Sequence, residues 1–264
     1  MLKQQLEILG TQTLFRLESL GRLILFLGAG LVQAFVPPFQ WAKIMEQLWF
    51  IGAKSMFVII LTALFTGMVL GLQGYHTLVS FGSEAALGSA VAMTLIRELG
   101  PVLCAIMIAA RAGSAMAAEI GVMRMSEQID ALETMEIHPV RFTFSPRIIA
   151  ALISFPLLTA LFDITGILGG YLTGSIMLGI NENIYMEKVV QSISLGDITG
   201  GFFKALVFGL LVTTVCCYRG YYAHLAGNEQ GYGAKGVSLA TTNAVVNSCI
   251  LILISDYIIT SFLV

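Results

Sequence analysis

Between Lys54 and Glu84 the chain carries no charged residue. Wound as a helix at about 1.5 Å per residue, that stretch is longer than the ~30 Å hydrocarbon core of a bilayer. A chain segment in lipid must satisfy its own backbone N–H and C=O groups, so an apolar run of this length predicts a membrane-spanning helix. Four further runs follow, giving spans over Ser55–Ser83, Ala85–Ala110, Ile148–Gly179, Ile198–Tyr218 and from Gly236 to the C-terminus. Only 11% of residues are charged, against about 25% in an ordinary soluble domain. The fold class is therefore an all-α integral membrane protein. It reads as a single transmembrane domain over 1–264, with an interfacial or elbow region 1–50 and a five-span core 51–264.

The first segment is different. Leu6, Leu9, Leu17 and Leu20 recur near helical spacing, with Lys3, Glu7, Arg16, Glu18 and Arg22 among them. That pattern suits a helix lying in the membrane interface. Leu23–Val36 is apolar but too short for the ~20 residues of a span, and is expected to be a re-entrant or interfacial extension ending at Pro37-Pro38. A cleaved signal peptide is the rival reading; the long charged lead argues against it. Trp41 and Trp49 suit an interfacial belt.

Orientation follows from the distribution of Lys and Arg. With the N-terminus in the cytoplasm, Lys3, Arg16, Arg22, Lys43, Lys54, Arg111, Arg124, Arg141, Arg147, Arg219 and Lys235 lie inside. Lys188 and Lys204 lie outside, Lys204 near enough to its helix end to snorkel. The C-terminus is then on the outer side.

Arg97 and Glu98 are the most informative pair. Twelve uncharged residues precede them in the second span and twelve follow, so they sit near the midplane, where each charge costs roughly 2.5–3.5 kcal/mol on insertion scales. Pro101 has no N–H, so the carbonyl of Arg97 loses its helical partner, and Gly100 loosens the same turn. The bland reading is a buried ion pair that fixes helix register; the functional one is gating or cavity lining. Asp163 and Asp256, in the third and fifth spans, are expected to partner Arg97 or to act as polar glue. Asn243 and Asn247, four apart, share a face suited to interhelical hydrogen bonds. Gly67/Gly71, Gly166/Gly170/Gly174 and Gly196/Gly200 are small-residue ladders that allow close helix contact.

Several chemistries lack their residues. His76, His138 and His224 are scattered, and the four cysteines (Cys104, Cys216, Cys217, Cys249) sit in apolar stretches without metal spacing. No metal site, resident cofactor or catalytic group is expected. There is no phosphate-binding G-x-x-x-x-G-K-[ST] loop, so ATP, if used, is bound by another chain. The net charge of −2 and the lack of a basic block give no footprint for nucleic acid.

The one sizeable polar segment is Arg111–Arg147. Its acids are Glu119, Glu127, Asp130, Glu133 and Glu136, and Ile120, Met123, Glu127 and Asp130 fall at helical spacing. Besides a plain surface helix, this suits a cytoplasmic docking helix between spans two and three. The run from Arg111 through Leu132 resembles the signature of MlaE-type permeases, the membrane subunits of Mce-associated ABC transporters. Gly67-Met68-Val69-Leu70-Gly71-Leu72-Gln73-Gly74-Tyr75, Arg97-Glu98-Leu99-Gly100-Pro101-Val102, Ser145-Pro146-Arg147 and Pro156-Leu157-Leu158-Thr159 are similar to the family too. The resemblance covers nearly the whole chain, weakening over the first 50 residues and the loop before span four.

That resemblance implies a bacterial inner-membrane homodimer that moves phospholipid to or from a periplasmic carrier and maintains outer-membrane lipid asymmetry, so that the outer side, with the C-terminus, is the periplasm. It implies an ATPase subunit docked on Glu119, Gly121, Met123, Arg124, Glu127 and Asp130. It also implies a hexameric ring of Mce-fold substrate-binding subunits and a small STAS-domain protein on the ATPase. The lipid cavity maps to Leu70, Tyr75, Leu78, Phe81, Arg97, Glu98 and Leu99. Where family members carry basic residues in the fifth span, this chain has Asn243 and Asn247. Two other classes compete: a proton-coupled secondary transporter using Glu98, Asp163 and Asp256, and an intramembrane enzyme. The first usually shows paired broken helices in two repeats, whereas one clear break is visible here, at Gly100-Pro101. The second needs a nucleophile or metal cluster.

Overall fold

The computed structural model describes residues 2–34, 40–225 and 233–263, with side chains from Leu17 onward except that of residue 225. Pro37-Pro38 and most of the Gly-rich turn before the last span lie outside the described residues. Those described form helices and turns, with no strand among them. Six stretches are long and apolar enough to cross a membrane: Leu17–Ala34, Trp41–Val79, Glu84–Met125, Pro139–Met177, Leu195–Tyr221 and Ala234–Leu263.

Five of the six are the expected spans, mostly lengthened. α1 (Leu2–Ala34) is one continuous helix of 33 residues, longer than the apolar run alone predicts, because the charged lead winds into the same helix. Arg22 is held by Glu18 one turn earlier at 3.7 Å and lies 5.9 Å from the ring centre of Tyr222. The contacts of α1 set its attitude. Ser19 bonds Tyr218, Phe26 packs against Phe144, Tyr218, Tyr221 and Tyr222, and Gly30 abuts Phe144. All these partners lie within about one turn of two helix ends on one side of the bundle. The cluster these residues share extends to Ile149, Leu152 and Leu210, so α1 packs against the end of the bundle formed by residues 144–152 and 210–222.

α2 (Trp41–Ile51) joins α3 (Met56–Val79) through the short turn Ala53–Ser55. The second span is a single path made of α4 (Leu87–Thr94), a π-helical turn Leu95–Leu99, α5 (Gly100–Ile108), a second π turn Ala109–Gly113, and α6 (Ser114–Met125). Its helix does not stop at Ala110. The guanidinium of Arg111 folds back and donates to the carbonyl of Phe50 at 2.9 and 3.1 Å and to Ser55 Oγ at 2.5 Å. It thereby satisfies an orphan carbonyl at the end of α2 while α6 continues.

α6 then breaks. Glu127 takes a left-handed φ of 58° and separates it from α7 (Gln128–Thr134); Glu136 takes the same value before α8 (Pro139–Thr143). Ile120, Met123, Glu127 and Asp130 therefore do not form one helical face, because the chain turns a corner at Glu127. α9 (Ser145–Tyr171) runs unbroken through Pro156 into a π turn, Leu172–Met177. α10 (Glu182–Ser192), α11 (Leu195–Tyr221) and α12 (Ala234–Leu263) complete the chain.

α9 is the centre of the bundle, packed on α2, α3, α5 and α11. Its seam with α3 uses two of the glycine ladders: a Cβ on Gly67 would collide with the carbonyl of Gly166. Among the described residues the Gly196/Gly200 ladder makes no such seam, Gly200 being approached by the Leu263 side chain alone. At the end of the bundle that carries α10, Tyr185 is fully buried and donates to the Ile167 carbonyl at 3.2 Å. It packs where Gly170 and Gly174 leave room, which pins α10 to α9 and α4.

Candidate functional site

The first π turn follows from Pro101. With no N–H at 101 the Arg97 carbonyl has no i+4 donor, and the wider turn over Leu95–Leu99 brings Arg97 and Glu98 toward α11 and α12. Lys204 fills the vacancy. Its ammonium donates to the Arg97 carbonyl at 2.8 Å, to Glu98 Oε2 at 2.7 Å and to Thr260 Oγ1 at 2.8 Å. It also lies 3.1 Å from Asp256 Oδ1, an ion pair without hydrogen-bond alignment. Thr260 completes the ring by donating toward Glu98 Oε1 at 3.2 Å. The Lys204 side chain is 2% exposed, so it does not snorkel. Nine positions beyond the start of α11, its stem runs inward because acceptors on the second span and on α12 converge there, and the low surrounding dielectric strengthens each contact.

Arg97 is paired separately. Its Nε donates to Asp197 Oδ1 at 2.6 Å, while Asp197 Oδ2 accepts from the backbone N–H and hydroxyl of Ser194. Asp197 is thus the third helical residue of a capping box that starts α11, and its other oxygen holds the arginine. The Arg97 side chain is 47% exposed and faces a cavity of about 430 Å³. Glu98, Asp197, Gly201, Lys204 and Thr260 also line that cavity. Asp256 partners Lys204 rather than Arg97. Asp163 partners neither and lines a different, apolar cavity with Ile96 and Phe202.

The other residues expected at a lipid cavity sit elsewhere within one chain. Leu70, Tyr75, Leu78 and Leu99 are half-buried against the main core, and Phe81 is exposed beyond α3. Asn243 is exposed and Asn247 half-buried on α12; neither makes an interhelical hydrogen bond among the described residues. Lys204, Asp197 and Thr260 are the members that sequence reasoning missed. The signal for a donor was present in the carbonyl that Pro101 leaves free.

At the opposite end, the expected docking residues divide between two helices. Glu119 bonds Arg147 at 2.8 Å, Gly121 is buried against Val237 and Ala223, and Met123 packs under the aromatic cluster around Phe26. Arg124 ties α6 to α7 through Asp130 at 2.7 Å, and its Nε donates to His224 Nδ1 at 3.2 Å. Burial, then the Arg124 charge, holds His224 below its ordinary pKa. Glu127 marks the exposed corner. No group of three or more metal-ligating side chains occurs among the described residues.

The chain matches the family model described as permease MlaE over residues 44–262. It is 42% identical to a probable ABC transporter permease of Rickettsia typhi, across 97% of this chain and 96% of that protein. It is 38% identical to the intermembrane phospholipid transport system permease protein MlaE of Haemophilus influenzae, across 97% and 95%. It is 35% identical to the chloroplastic protein TRIGALACTOSYLDIACYLGLYCEROL 1 of Arabidopsis thaliana, across 84% and 62%. With a matched region that takes in the Arg97–Pro101 turn, Lys204 and the α6–α7 corner alike, the chain belongs to the MlaE permease family.

Proposed function

We propose that this chain is the membrane permease subunit of an ABC transporter that moves phospholipid between the bacterial inner membrane and a periplasmic carrier, so maintaining outer-membrane lipid asymmetry. The observation that carries the reading is its near-full-length similarity to the Haemophilus phospholipid permease. The cavity at Arg97 has chemistry to match. A phosphodiester needs a cation and displaceable partners; Arg97 is half-exposed and held by one carboxylate oxygen. An entering phosphate competes with Asp197 for the guanidinium, while Lys204 stays fixed by its own ring of acceptors. The apolar bundle around the cavity suits acyl chains. In this reading Leu70, Tyr75, Leu78, Phe81 and Leu99 line a wider chamber completed by a second copy of the chain.

ATP is hydrolysed by a partner subunit docked at the α6–α7 corner, on the surface that Glu119, Gly121, Met123, Arg124, Glu127 and Asp130 surround. The exposed left-handed corner at Glu127 supports that placement. An Mce-fold hexameric ring sits on the periplasmic side and a STAS-domain protein on the ATPase. The N-terminus is cytoplasmic and the C-terminus periplasmic, and the whole chain is one permease domain with an N-terminal elbow. A proton-coupled transporter has no support, since Asp163 lies in a separate cavity from Glu98 and Asp256 is tied to Lys204.

The test is purification from native membranes in mild detergent with mass spectrometry of what accompanies the chain. Recovery of an ATPase, an Mce-fold protein and phospholipid is expected; recovery of the chain alone across several mild detergents overturns the reading.

A further inference from the structure

The cluster at the Arg97 cavity holds more acid than base: Arg97 and Lys204 meet Glu98, Asp197 and Asp256. Lys204 has nothing left to offer a ligand, because its three N–H donors go to the Arg97 carbonyl, Glu98 and Thr260. The charges open to an entering group are Arg97 and, 40% exposed, Glu98. Asp197 differs from the other acids in being fixed. Its Oδ2 accepts from the Ser194 backbone N–H at 3.0 Å and the Ser194 hydroxyl at 2.7 Å, and Oδ1 is the oxygen that holds Arg97. When an anion draws the guanidinium away, the capping box keeps this carboxylate in place and Oδ1 loses its donor. An unpaired charged acceptor is costlier than a neutral one. The level also suits a headgroup. Asp197 is in the first turn of α11 and Thr260 in the last turn of α12. These helices of 27 and 30 residues run about 40 and 45 Å, longer than the ~30 Å hydrocarbon core, so their ends reach the headgroup layer.

We propose that Asp197 and Glu98 form an ammonium subsite beside Arg97, which selects zwitterionic phospholipids with an N–H donor, such as phosphatidylethanolamine, over net-anionic ones. This rests on phospholipid being the substrate and adds which headgroup is taken. An ethanolamine headgroup exchanges one ion pair for two. Its phosphate takes the Arg97 guanidinium, and its ammonium, an ethylene bridge away, takes Asp197 Oδ1 and the half-exposed Glu98 carboxylate. The formal charge of the cavity is unchanged. A glycerol headgroup brings the same phosphate without a cation. It adds a negative charge where acids already outnumber bases and leaves Asp197 facing it, a repulsion that the low dielectric amplifies. Gly196, Gly200 and Gly201 line the same cavity without side chains, which leaves room for the headgroup beside Asp197.

The test uses the full-length permease, with whatever subunits copurify, in mild detergent. It is incubated with mixed micelles of phosphatidylethanolamine, phosphatidylglycerol and N-acetyl phosphatidylethanolamine in equal amounts and with the same acyl chains. The N-acetyl lipid keeps the phosphate and loses the ammonium. Lipid retained after gel filtration is measured by mass spectrometry, and retention by Arg97→Ala is subtracted as lipid held elsewhere on the protein. Wild type is expected to prefer phosphatidylethanolamine to each of the other two by about tenfold, the effect of one charge-assisted hydrogen bond. Asp197→Asn keeps an oxygen to accept from Ser194 and should bring the ratios close to unity by raising retention of the two anionic lipids, a rise that a misfolded variant does not produce. Equal retention of the three lipids by wild type, or unchanged ratios in Asp197→Asn, overturns the ammonium subsite and leaves phospholipid transport standing. Retention of none of the three by wild type overturns the transport reading, and the subsite with it.

Discussion

The ammonium of Lys204 is bonded at 2.8 Å to the main-chain carbonyl of Arg97, the carbonyl that Pro101 leaves without a helical donor. One side chain thus repairs the backbone of the second span and neutralises Glu98 in the same place.

Removing Lys204 should be costly. Lys204→Met leaves Glu98, Asp256 and a carbonyl without their shared cation, and breaking a buried ion pair from one side costs about 3–5 kcal/mol. Thermal unfolding of the detergent-solubilised protein should show a large loss, with Lys204→Met/Glu98→Gln distinctly less unstable than Lys204→Met alone. Equal stability of the two variants would count against the cluster.

Arg97→Ala and Glu98→Ala should impair lipid transport while leaving membrane insertion intact. If Arg97 supplies one charge-assisted contact worth about 1.5–3 kcal/mol, transport by Arg97→Ala should fall by about tenfold or more. Outer-membrane barrier assays, run beside quantification of inserted protein, provide the check; wild-type barrier function in both variants would refute the assignment.

Glu127→Arg should reduce the ATPase recovered with the permease, because it reverses charge at the exposed corner. Glu127→Gly should keep the partner and raise stability slightly, by no more than about 1 kcal/mol, since glycine takes a left-handed φ without steric penalty. Copurification and melting curves separate the two effects.

His224 gives a pH signature. Its folded pKa is depressed by burial and by Arg124, with Asp130 opposing and Arg22 adding to the effect. The unfolded chain, with an ordinary pKa of about 6.5, therefore binds the proton more readily. The contribution of neutral His224 to stability is complete above that value and is lost as pH falls below it toward the folded pKa. Wild type should lose stability between pH 7 and pH 5 relative to His224→Gln, measured by thermal melts across that range.

A reporter fused after Val264 should be active only on the periplasmic side. Activity confined to the cytoplasm would overturn the topology of an interfacial α1 followed by five spans.

The spans were legible because they are a matter of counting apolar runs against bilayer thickness; the midplane depth expected of Arg97 and Glu98 from equal counting on either side is not what their partners show, since Asp197 lies in the first turn of α11 and Thr260 in the last turn of α12. The strained turn was legible from Gly100-Pro101. Lys204 was not, because its distance from the helix end allows either snorkelling or inward burial, and only acceptors on other helices decide between them. The corner at Glu127 was hidden for a related reason. Helical spacing continues through it in sequence, and a left-handed residue other than Gly leaves no compositional mark. The helix expected over the first segment and the apolar extension after it are one helix, Leu2–Ala34, because charges in its first half interrupt the apolar run without interrupting the helix.

The pairing of Lys204 with Glu98 spans 106 positions of sequence, which bears on how the chain is made. At synthesis rates of roughly 5–20 residues per second, Arg97 and Glu98 leave the ribosome about 5–20 seconds before the residues that neutralise them. During that interval the second span is a poor candidate for release into lipid. It must be retained at the insertion machinery or shielded until α11 and α12 arrive. Substitutions at Asp197, Lys204 or Thr260 should then register first as prolonged residence and proteolytic clearance of nascent chains, before any finished transporter exists to fail.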